Sequence, residues 1–236
     1  MARAMVRITR VYTGGGDAGE SSLVNGKRLS KADLRFEVVG TTDELNCVIG
    51  IILNQVATMP EHDDGGRRQN VERINSILVA CLGRIQHELF DLGAELACPL
   101  DDIPQGMQVL QQAHSDVLLD EMDAWLDDLT PLNSFILPGG DGPIAYFHLA
   151  RALTRRLERH VVQLSTSEGM EMVRPLTMQY INRLSDWLFV LSRWVTHMLG
   201  GEETLWQPLG RRESEQGVAK RVVEIRQLDQ DLDHLS

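Results

Sequence analysis

Five long stretches of the sequence repeat apolar residues every three or four positions, which is the period of an amphipathic α-helix. They cover about 41–58, 69–98, 109–129, 143–164 and 175–198. Pro60, Pro99 and Gly200 stand just beyond three of them, where such residues end helices. The only strand that the pattern indicates is a short one at Val6–Tyr12. The sequence therefore predicts an all-α helical bundle, folded as a single domain, with an irregular glycine-rich N-terminal segment.

The predicted bundle lies between two segments of different composition. An N-terminal segment, the bundle and a C-terminal tail of unassigned role are expected at residues 1–40, 41–200 and 201–236. Thr41 or Thr42 is the predicted N-cap of the first helix. Acidic Asp43 and Glu44 follow in its first turn, where the helix dipole favours negative charge.

Composition excludes several classes of protein. The 23 basic and 34 acidic residues give a net charge of 23 − 34 = −11, which disfavours general nucleic-acid binding but allows a local arginine cluster to hold an anion. No apolar run approaches the roughly 20 residues of a membrane span, and the start of the chain lacks a signal-peptide pattern. The three cysteines include no CxxC motif, so we expect neither a disulfide framework nor a zinc site, and a cytoplasmic location.

The fourth predicted helix divides into an apolar and a basic side. The apolar side is expected to hold Leu149, Leu153, Leu157, Val161 and Leu164, and the opposite side His148, Arg151, Arg155 and Arg159. Guanidinium groups at turn spacing repel one another unless carboxylates or an anion neutralise them, and arginine suits bidentate phosphate recognition. The helix alone is equally compatible with a solvated basic surface.

The fifth predicted helix shows a similar division. Its apolar side is expected to hold Tyr180, Leu184, Trp187, Leu191, Trp194 and Val195, and a polar side Asn182, Asp186 and Arg193. We expect Asn182 to hydrogen-bond a ligand and Asp186 to pair with an arginine of the fourth helix. The alternative is a polar surface with local ion pairs.

The run from Thr13 to Ser22 is rich in glycine and hydroxyl residues. Glycines allow consecutive backbone N–H groups to converge on one anion. The run matches neither a Walker A loop nor a dinucleotide-binding fingerprint. An anion-binding loop and a flexible arm are both compatible with it.

Six motifs follow one another along the chain: T-x-x-G-D-x-G-x-S-S-L (Thr13–Leu23), GKR with Lys31 (from Gly26), GTTDELN (Gly40–Asn46), FILPGG (Phe135–Gly140), HLAR with RRLER (His148–Arg159) and YINRLSD (Tyr180–Asp186). In this order they resemble the PduO-type ATP:cob(I)alamin adenosyltransferases, over most of residues 7–199. The resemblance implies a five-helix bundle of the ferritin-like, cobalamin adenosyltransferase-like type. It also implies transfer of the 5′-deoxyadenosyl group of ATP to the Co(I) of a reduced corrinoid, with release of triphosphate.

The resemblance also implies cofactors, partners and site residues. ATP, cob(I)alamin and Mg²⁺ are expected, with no metal ligand assigned within the chain, in a homotrimer whose sites lie between subunits. A cobalamin reductase and an adenosylcobalamin-dependent mutase are the implied partners. The residues implied for ATP are Thr13, Gly14, Gly15, Gly16, Ser21, Lys31, Arg155, Arg156, Glu158, Arg159 and Asn182. Arg155 faces phosphate, Asp43 and Arg151 pair between subunits near the reaction centre, and Phe135 lines the corrinoid and displaces its lower ligand.

One departure from the family pattern concerns the nucleotide. The family usually has Lys or Arg at position 14 and Thr at position 15, where this chain has Gly14 and Gly15. A missing charge-assisted contact costs about 1.5–3 kcal/mol of binding, unless backbone N–H groups or Arg10 compensate. Two alternatives to the enzyme therefore stay open at this point, an adenosylcobalamin delivery protein and a non-catalytic helical oligomer.

Overall fold

The computed structural model describes residues 12, 14–60, 62–63, 66–67, 69–168, 173–209, 218–219 and 221–226. In these residues five long helices form, as predicted: α1 (Leu34–Ala57), α2 (Gln69–Leu96), α3 (Gln112–Leu126), α4 (Ile144–Glu168) and α5 (Pro175–Met198). Two antiparallel hairpins pair β1 (Glu20–Ser22) with β2 (Arg28–Ser30) and β3 (His62–Asp63) with β4 (Gly66–Arg67). The all-α bundle is confirmed, and none of the described helices is long and apolar enough to cross a membrane.

The chain divides into two compact units. The first contains residues 1–131 and 138–203, and the second contains residues 132–137 and 204–236. In the first unit α1 packs on α2 and α4, while α5 packs on α3 and α4. Side chains fully removed from solvent come from all five helices, and include Leu45, Leu82, Leu118, Leu157 and Trp187. Burial of such side chains supplies the main driving force for folding.

Helix α1 begins at Leu34, so the prediction that it begins near Thr41 was wrong. Asp33 is the N-cap, and its carboxylate accepts a hydrogen bond from the backbone N–H of Arg35 at 2.9 Å. The hydroxyls of Thr41 and Thr42 donate to the carbonyls four residues earlier, at 2.8 and 2.9 Å. That back-bonding lets threonine lie inside a helix rather than cap it.

The N-terminal segment also differs from the prediction. Glu20, Ser21 and Ser22 pair with Ser30, Leu29 and Arg28 in the first hairpin, although no strand was predicted there. Gly26 lies in the connecting turn at φ +83°, a conformation open to glycine. The strand expected at Val6–Tyr12 lies outside the described residues, apart from Tyr12 itself.

Helix α4 buries Leu157, Val161 and Leu164 as predicted, but its first turns differ from the prediction. It packs against both α1 and α5, and the buried side is centred on Ala150, Thr154 and Leu157. Leu149 is therefore exposed, whereas His148, predicted on the polar side, is only 6% exposed. Burial and then the neighbouring Arg151 lower the pKa of His148 from its usual 6.5, and its Nδ1 has no hydrogen-bond partner in the described part of the chain.

Helix α5 spans the predicted residues, and its predicted apolar side is buried. Two of its polar residues behave differently from the prediction. Asp186 lies 3.9 Å from Arg183 of the same helix rather than pairing with an arginine of α4. Arg193 is buried, with a bidentate link to Glu203. The partner of Asp186 lies within α5 itself, whereas those of Arg193 come from other parts of the chain, which helical periodicity does not reveal.

Replacing the N-cap of α1 should destabilise the protein. We expect Asp33→Ala to lower the free energy of unfolding by about 1 kcal/mol, because an N–H of the first turn loses its acceptor. Asp33→Asn, which keeps an acceptor oxygen, is the matched control and should stay close to the wild type. Urea unfolding followed by circular dichroism measures both, and equal stability of Asp33→Ala and the wild type would contradict the assignment of the cap.

Burial of His148 should make stability depend on pH. Because its pKa is lower in the folded chain, the unfolded chain binds more protons below pH 6.5, and the free energy of unfolding falls as the pH falls. We expect His148→Gln to reduce this loss between about pH 7 and pH 5. The exposed His87→Gln is the control and should keep the wild-type slope. Chemical unfolding at several pH values measures the free energy of unfolding of each protein. If its dependence on pH is the same in all three proteins, His148 does not have this role.

Candidate functional site

Helix α4 presents guanidinium groups on successive turns. Arg151, Arg155 and Arg159 recur every four residues, so they follow one side of the helix at intervals of about 6 Å. Arg159 Nη1 donates a hydrogen bond to the backbone carbonyl of Arg155 at 3.0 Å. Among the described residues, neither Arg155 nor Arg159 has an ion-pair partner. Two cations one turn apart without carboxylates favour a ligand that carries several negative charges.

A hydrogen-bonded pair lies on the same stretch of α4 and couples it to α5. Asn182 Nδ2 donates to Glu158 Oε1 at 3.0 Å, and Arg183 Nη1 donates to Asn182 Oδ1 at 3.2 Å. The structure thus brings together two residues that the resemblance assigns to the nucleotide. A carboxylate and an amide side by side can accept and donate hydrogen bonds to the hydroxyl groups of a ligand.

Arg156 faces away from this group of residues. Its Nη2 donates to a carboxylate oxygen of Glu44, so the ion pair joins α4 to α1. Both side chains are partly exposed, and ion pairs of that kind contribute little to stability. Of the arginines predicted to bind the nucleotide, Arg156 is therefore the one that already has a carboxylate partner.

Arg151 and Asp43, the predicted intersubunit pair, are not paired within one chain. The Arg151 guanidinium carbon lies 6.0 Å from the centre of the Phe189 ring, and its Nε has no hydrogen-bond partner in the described chain. Burial and then Arg155 lower the pKa of Arg151. Asp43 is exposed on α1, at the rim of a cleft of about 350 Å³ between α1 and α2 that Phe90 also lines.

The glycine-rich segment forms tight turns, and the side chain of Lys31 packs against one of its glycines. The N–H groups of Asp17 and Gly19 donate to the carbonyls of Gly14 and Gly16. The Lys31 ammonium lies against Gly16 so closely that a Cβ there would be 2.9 Å from Nζ. Gly14 has φ +68°, a region that disfavours other residues. Of the predicted nucleotide residues, the structure therefore places Lys31 against Gly16 and puts Gly14 in the adjoining turn, whereas Ser21 lies in β1 and Thr13 lies outside the described residues.

Arg28 is a cation of this segment that the sequence analysis did not assign to the site. It lies opposite Ser22 in the hairpin. Its Nη2 donates to the carbonyl of Gly15 at 2.8 Å, and its Nε lies 3.3 Å from Glu20. The sequence signal was present in the GKR motif, but only the pairing of the strands shows that Arg28 returns to the glycines.

Phe135 belongs to the second unit, where its ring is 78% exposed. The ring meets Trp206 edge to face, with centroids 6.2 Å apart and planes at 70°. The backbone N–H of Trp206 donates to the carbonyl of Phe135 at 2.7 Å, and the hydroxyl of Ser134 donates to the carbonyl of Trp206 at 2.8 Å. An exposed aromatic ring held in this way can contact a large apolar ligand.

Comparisons with known proteins identify the family of this chain. The cobalamin adenosyltransferase family model matches residues 11–195. A cobalamin adenosyltransferase of Cupriavidus metallidurans is 38% identical over 205 residues, which cover 85% of this chain and 96% of that protein. A corrinoid adenosyltransferase of Bacillus subtilis is 37% identical over 191 residues, which cover 81% and 89%.

Solved structures of similar fold belong to the same family. A phenylalanine-to-alanine variant of a PduO-type ATP:corrinoid adenosyltransferase from Lactobacillus reuteri, complexed with cobalamin and ATP, matches with a TM-score of 0.71 and 28% identity, over 84% of this chain and all of that one. An arginine-to-lysine variant complexed with ATP matches with a TM-score of 0.69 and 29% identity, over the same shares of the two chains. The chain therefore belongs to the cobalamin adenosyltransferase family.

Proposed function

We propose that the chain transfers the 5′-deoxyadenosyl group of ATP to the Co(I) of a reduced corrinoid and releases triphosphate. The arrangement of α4 carries this proposal, because Arg155 and Arg159, which have no ion-pair partner in the described part of the chain, lie beside Glu158, which is bound to Asn182. Cations suit the triphosphate, and the carboxylate–amide pair suits a nucleoside. Membership of the family and the matched structures with cobalamin and ATP support the same reaction.

The proposed step is a direct displacement. An electron pair of Co(I) forms the bond from cobalt to the ribose C5′ while the bond from C5′ to oxygen breaks. The triphosphate leaves with the electron pair of the broken C5′–O bond. Co(I) is already a strong nucleophile, so the chain needs no nucleophilic side chain. Its residues align the two substrates and stabilise the charge of the leaving group, for which Arg155 is placed.

The glycine-rich segment is proposed to bind the phosphates from the other side. Lys31 and the backbone of Gly14, Gly15 and Gly16 supply the contacts, joined by Ser21 and Thr13. The Arg28 guanidinium, hydrogen-bonded to Gly15, brings a cation to the place where the family usually has one at position 14. Arg28 is therefore proposed to compensate for the glycines.

Mg²⁺ is proposed to accompany ATP. The described residues contain no group of three or more His, Cys, Asp or Glu side chains able to hold a metal. That finding fits a cation that takes most of its ligands from phosphate oxygens and water. Glu158 is the carboxylate available beside Arg155 and Arg159, and would add a ligand. When bound, Mg²⁺ neutralises part of the phosphate charge.

The active form is proposed to be a homotrimer with sites between subunits. No hydrogen bond or ion pair among the described residues joins residues 14–31 to α4, although both are assigned to one nucleotide. Asp43 and Arg151 are likewise separate within a chain, so Asp43 is proposed to pair with Arg151 of an adjacent subunit near the reaction centre. Such a contact would neutralise the exposed carboxylate and the unsatisfied guanidinium together.

Phe135 is proposed to contact the corrinoid and displace its lower axial ligand. Loss of that ligand makes reduction of cobalt to Co(I) easier. The electrons would come from a cobalamin reductase, and an adenosylcobalamin-dependent mutase would use the product. A cytoplasmic location fits the three cysteines, which are all free thiols in the structure.

Removing Arg155 should abolish turnover. With reduced cobalamin and ATP under anaerobic conditions, we expect Arg155→Ala to lower kcat/KM by at least about 100-fold, because the leaving triphosphate loses a charge-assisted contact. Arg73→Ala, on the exposed side of α2, is the control and should keep wild-type turnover. The spectral change to the adenosylated corrinoid reports the rate.

Three outcomes of this assay would overturn the proposal. Wild-type turnover in Arg155→Ala would exclude a role of this arginine in the reaction. Tight binding of adenosylcobalamin by the wild type without turnover would indicate a delivery protein. Binding of neither substrate would leave a helical oligomer without this activity.

A site shared between subunits predicts complementation. Lys31→Ala and Arg155→Ala should each be inactive, but protein reassembled from an equal mixture should regain about one quarter of wild-type activity, since half of the glycine segments and half of the α4 helices are intact. The measurement is turnover after refolding the mixture, with each variant refolded alone as the control. No recovery in a mixture that sizing shows to be co-assembled would indicate sites within single subunits.

A further inference from the structure

Arg193 of α5 is a buried cation that binds the carboxylate of Glu203 and the backbone carbonyl of Thr130, two residues far apart in the chain. Its Nε donates to Glu203 Oε1 at 2.8 Å, and its Nη2 donates to the carbonyl of Thr130 at 2.9 Å. The Arg193 side chain is 7% exposed and that of Glu203 is 21% exposed. Charge-assisted hydrogen bonds are strong in such surroundings, so Arg193 holds Thr130 and Glu203 next to each other.

These two residues lie where the chain leaves the first unit. The second unit consists of residues 132–137 and 204–236. One of its segments therefore begins two residues after Thr130, and the other begins directly after Glu203. A single guanidinium thus contacts two residues of the first unit, each of which stands shortly before one of these segments.

Phe135 depends on both segments for its position. The N–H of Leu137 donates to the carbonyl of Thr204 at 2.8 Å, which pairs the end of the first segment with the residue after Glu203. Trp206 donates its N–H to the carbonyl of Phe135 and supports the ring edge to face. The position of Thr204 therefore determines which residues of the two segments pair with each other, and so where Phe135 is held.

We infer that Arg193 is a positioning residue for Phe135, acting through Thr130 and Glu203. The inference rests on the proposed function, in which Phe135 displaces the lower ligand of the corrinoid. While Arg193 keeps Thr130 and Glu203 adjacent, the chain enters both segments from fixed points, and the antiparallel hydrogen bonds between the segments fix the aromatic ring. Without the Arg193 guanidinium, Glu203 loses its counter-charge and the Thr130 carbonyl loses its donor. The two segments then separate more easily, and Phe135 is no longer held in one position.

The experiment compares two corrinoids. Cobalamin carries a lower nucleotide base, whereas cobinamide lacks it and so does not need Phe135 to displace it. In Arg193→Met we expect kcat/KM to fall at least about tenfold with cobalamin but less than about threefold with cobinamide, while the KM for ATP stays within about twofold. General damage to the bundle would affect both corrinoids alike.

Arg174→Met is the matched control. Arg174 forms a comparable buried link, from Nε and Nη2 to Glu95 at 2.9 Å and to the carbonyl of Leu110 at 2.6 Å, but these partners are far in the chain from residues 132–137 and 204–236. Its loss should lower stability without discriminating between the corrinoids. Glu203→Gln, which keeps the size of the side chain, is a milder second variant and should give a smaller preference for cobinamide.

Equal losses with both corrinoids in Arg193→Met and Glu203→Gln, or wild-type kinetics in both, would overturn the inference while leaving the enzyme's activity in place. If Arg193→Met does not fold, Glu203→Gln decides alone. A wild-type protein that turns over neither corrinoid would overturn the proposed function, and the inference with it.

Discussion

Uncompensated positive charge along one side of α4 is the constraint on which the site depends. The chain is acidic, with a net charge of −11, and other arginines of the bundle are neutralised locally: Arg84 by Glu88 and Glu121, Arg174 by Glu95, and Arg193 by Glu203. Arg155 and Arg159 have no such partner among the described residues. The buried side of α4 holds these cations in place despite their repulsion, and this preorganisation is the basis on which we propose that they bind the triphosphate.

The scaffold provides this preorganisation through packing and a few polar links. The apolar sides of α1 and α5 enclose α4, while Glu44 and Asn182 bind its polar residues from either side. Positions on a packed helix are held more rigidly than positions on a loop, so the spacing of the guanidinium groups is well defined. Among the described residues, no hydrogen bond or ion pair links residues 14–31 to α4, and for that reason we propose that the glycine-rich segment completes a site on an adjacent subunit.

Sequence patterns predicted the helices well where local signals coincide with their ends. Helix α5 begins at Pro175, because proline suits the first helical turn. It ends shortly before Gly200, because glycine readily adopts the positive φ that follows a helix C-terminus. The start of α1 was misplaced because Thr41 resembles a cap, whereas Asp33 performs that role. The first turns of α4 were misjudged around Leu149 and His148, because packing against α1 and α5 buries the side that contains Ala150 and Thr154, which no apolar stripe marks in the sequence.

The sequence by itself determined the five helices, the recurrence of arginine along the fourth and the order of motifs that marks the family. Helical periodicity fixes which side chains share a face, and that information is local. Only the tertiary structure decided which arginines find a carboxylate, that His148 is buried, that Arg28 returns to Gly15 and that Arg193 binds Thr130 and Glu203. Those contacts join residues far apart in the chain, and they depend on how one helix meets the next.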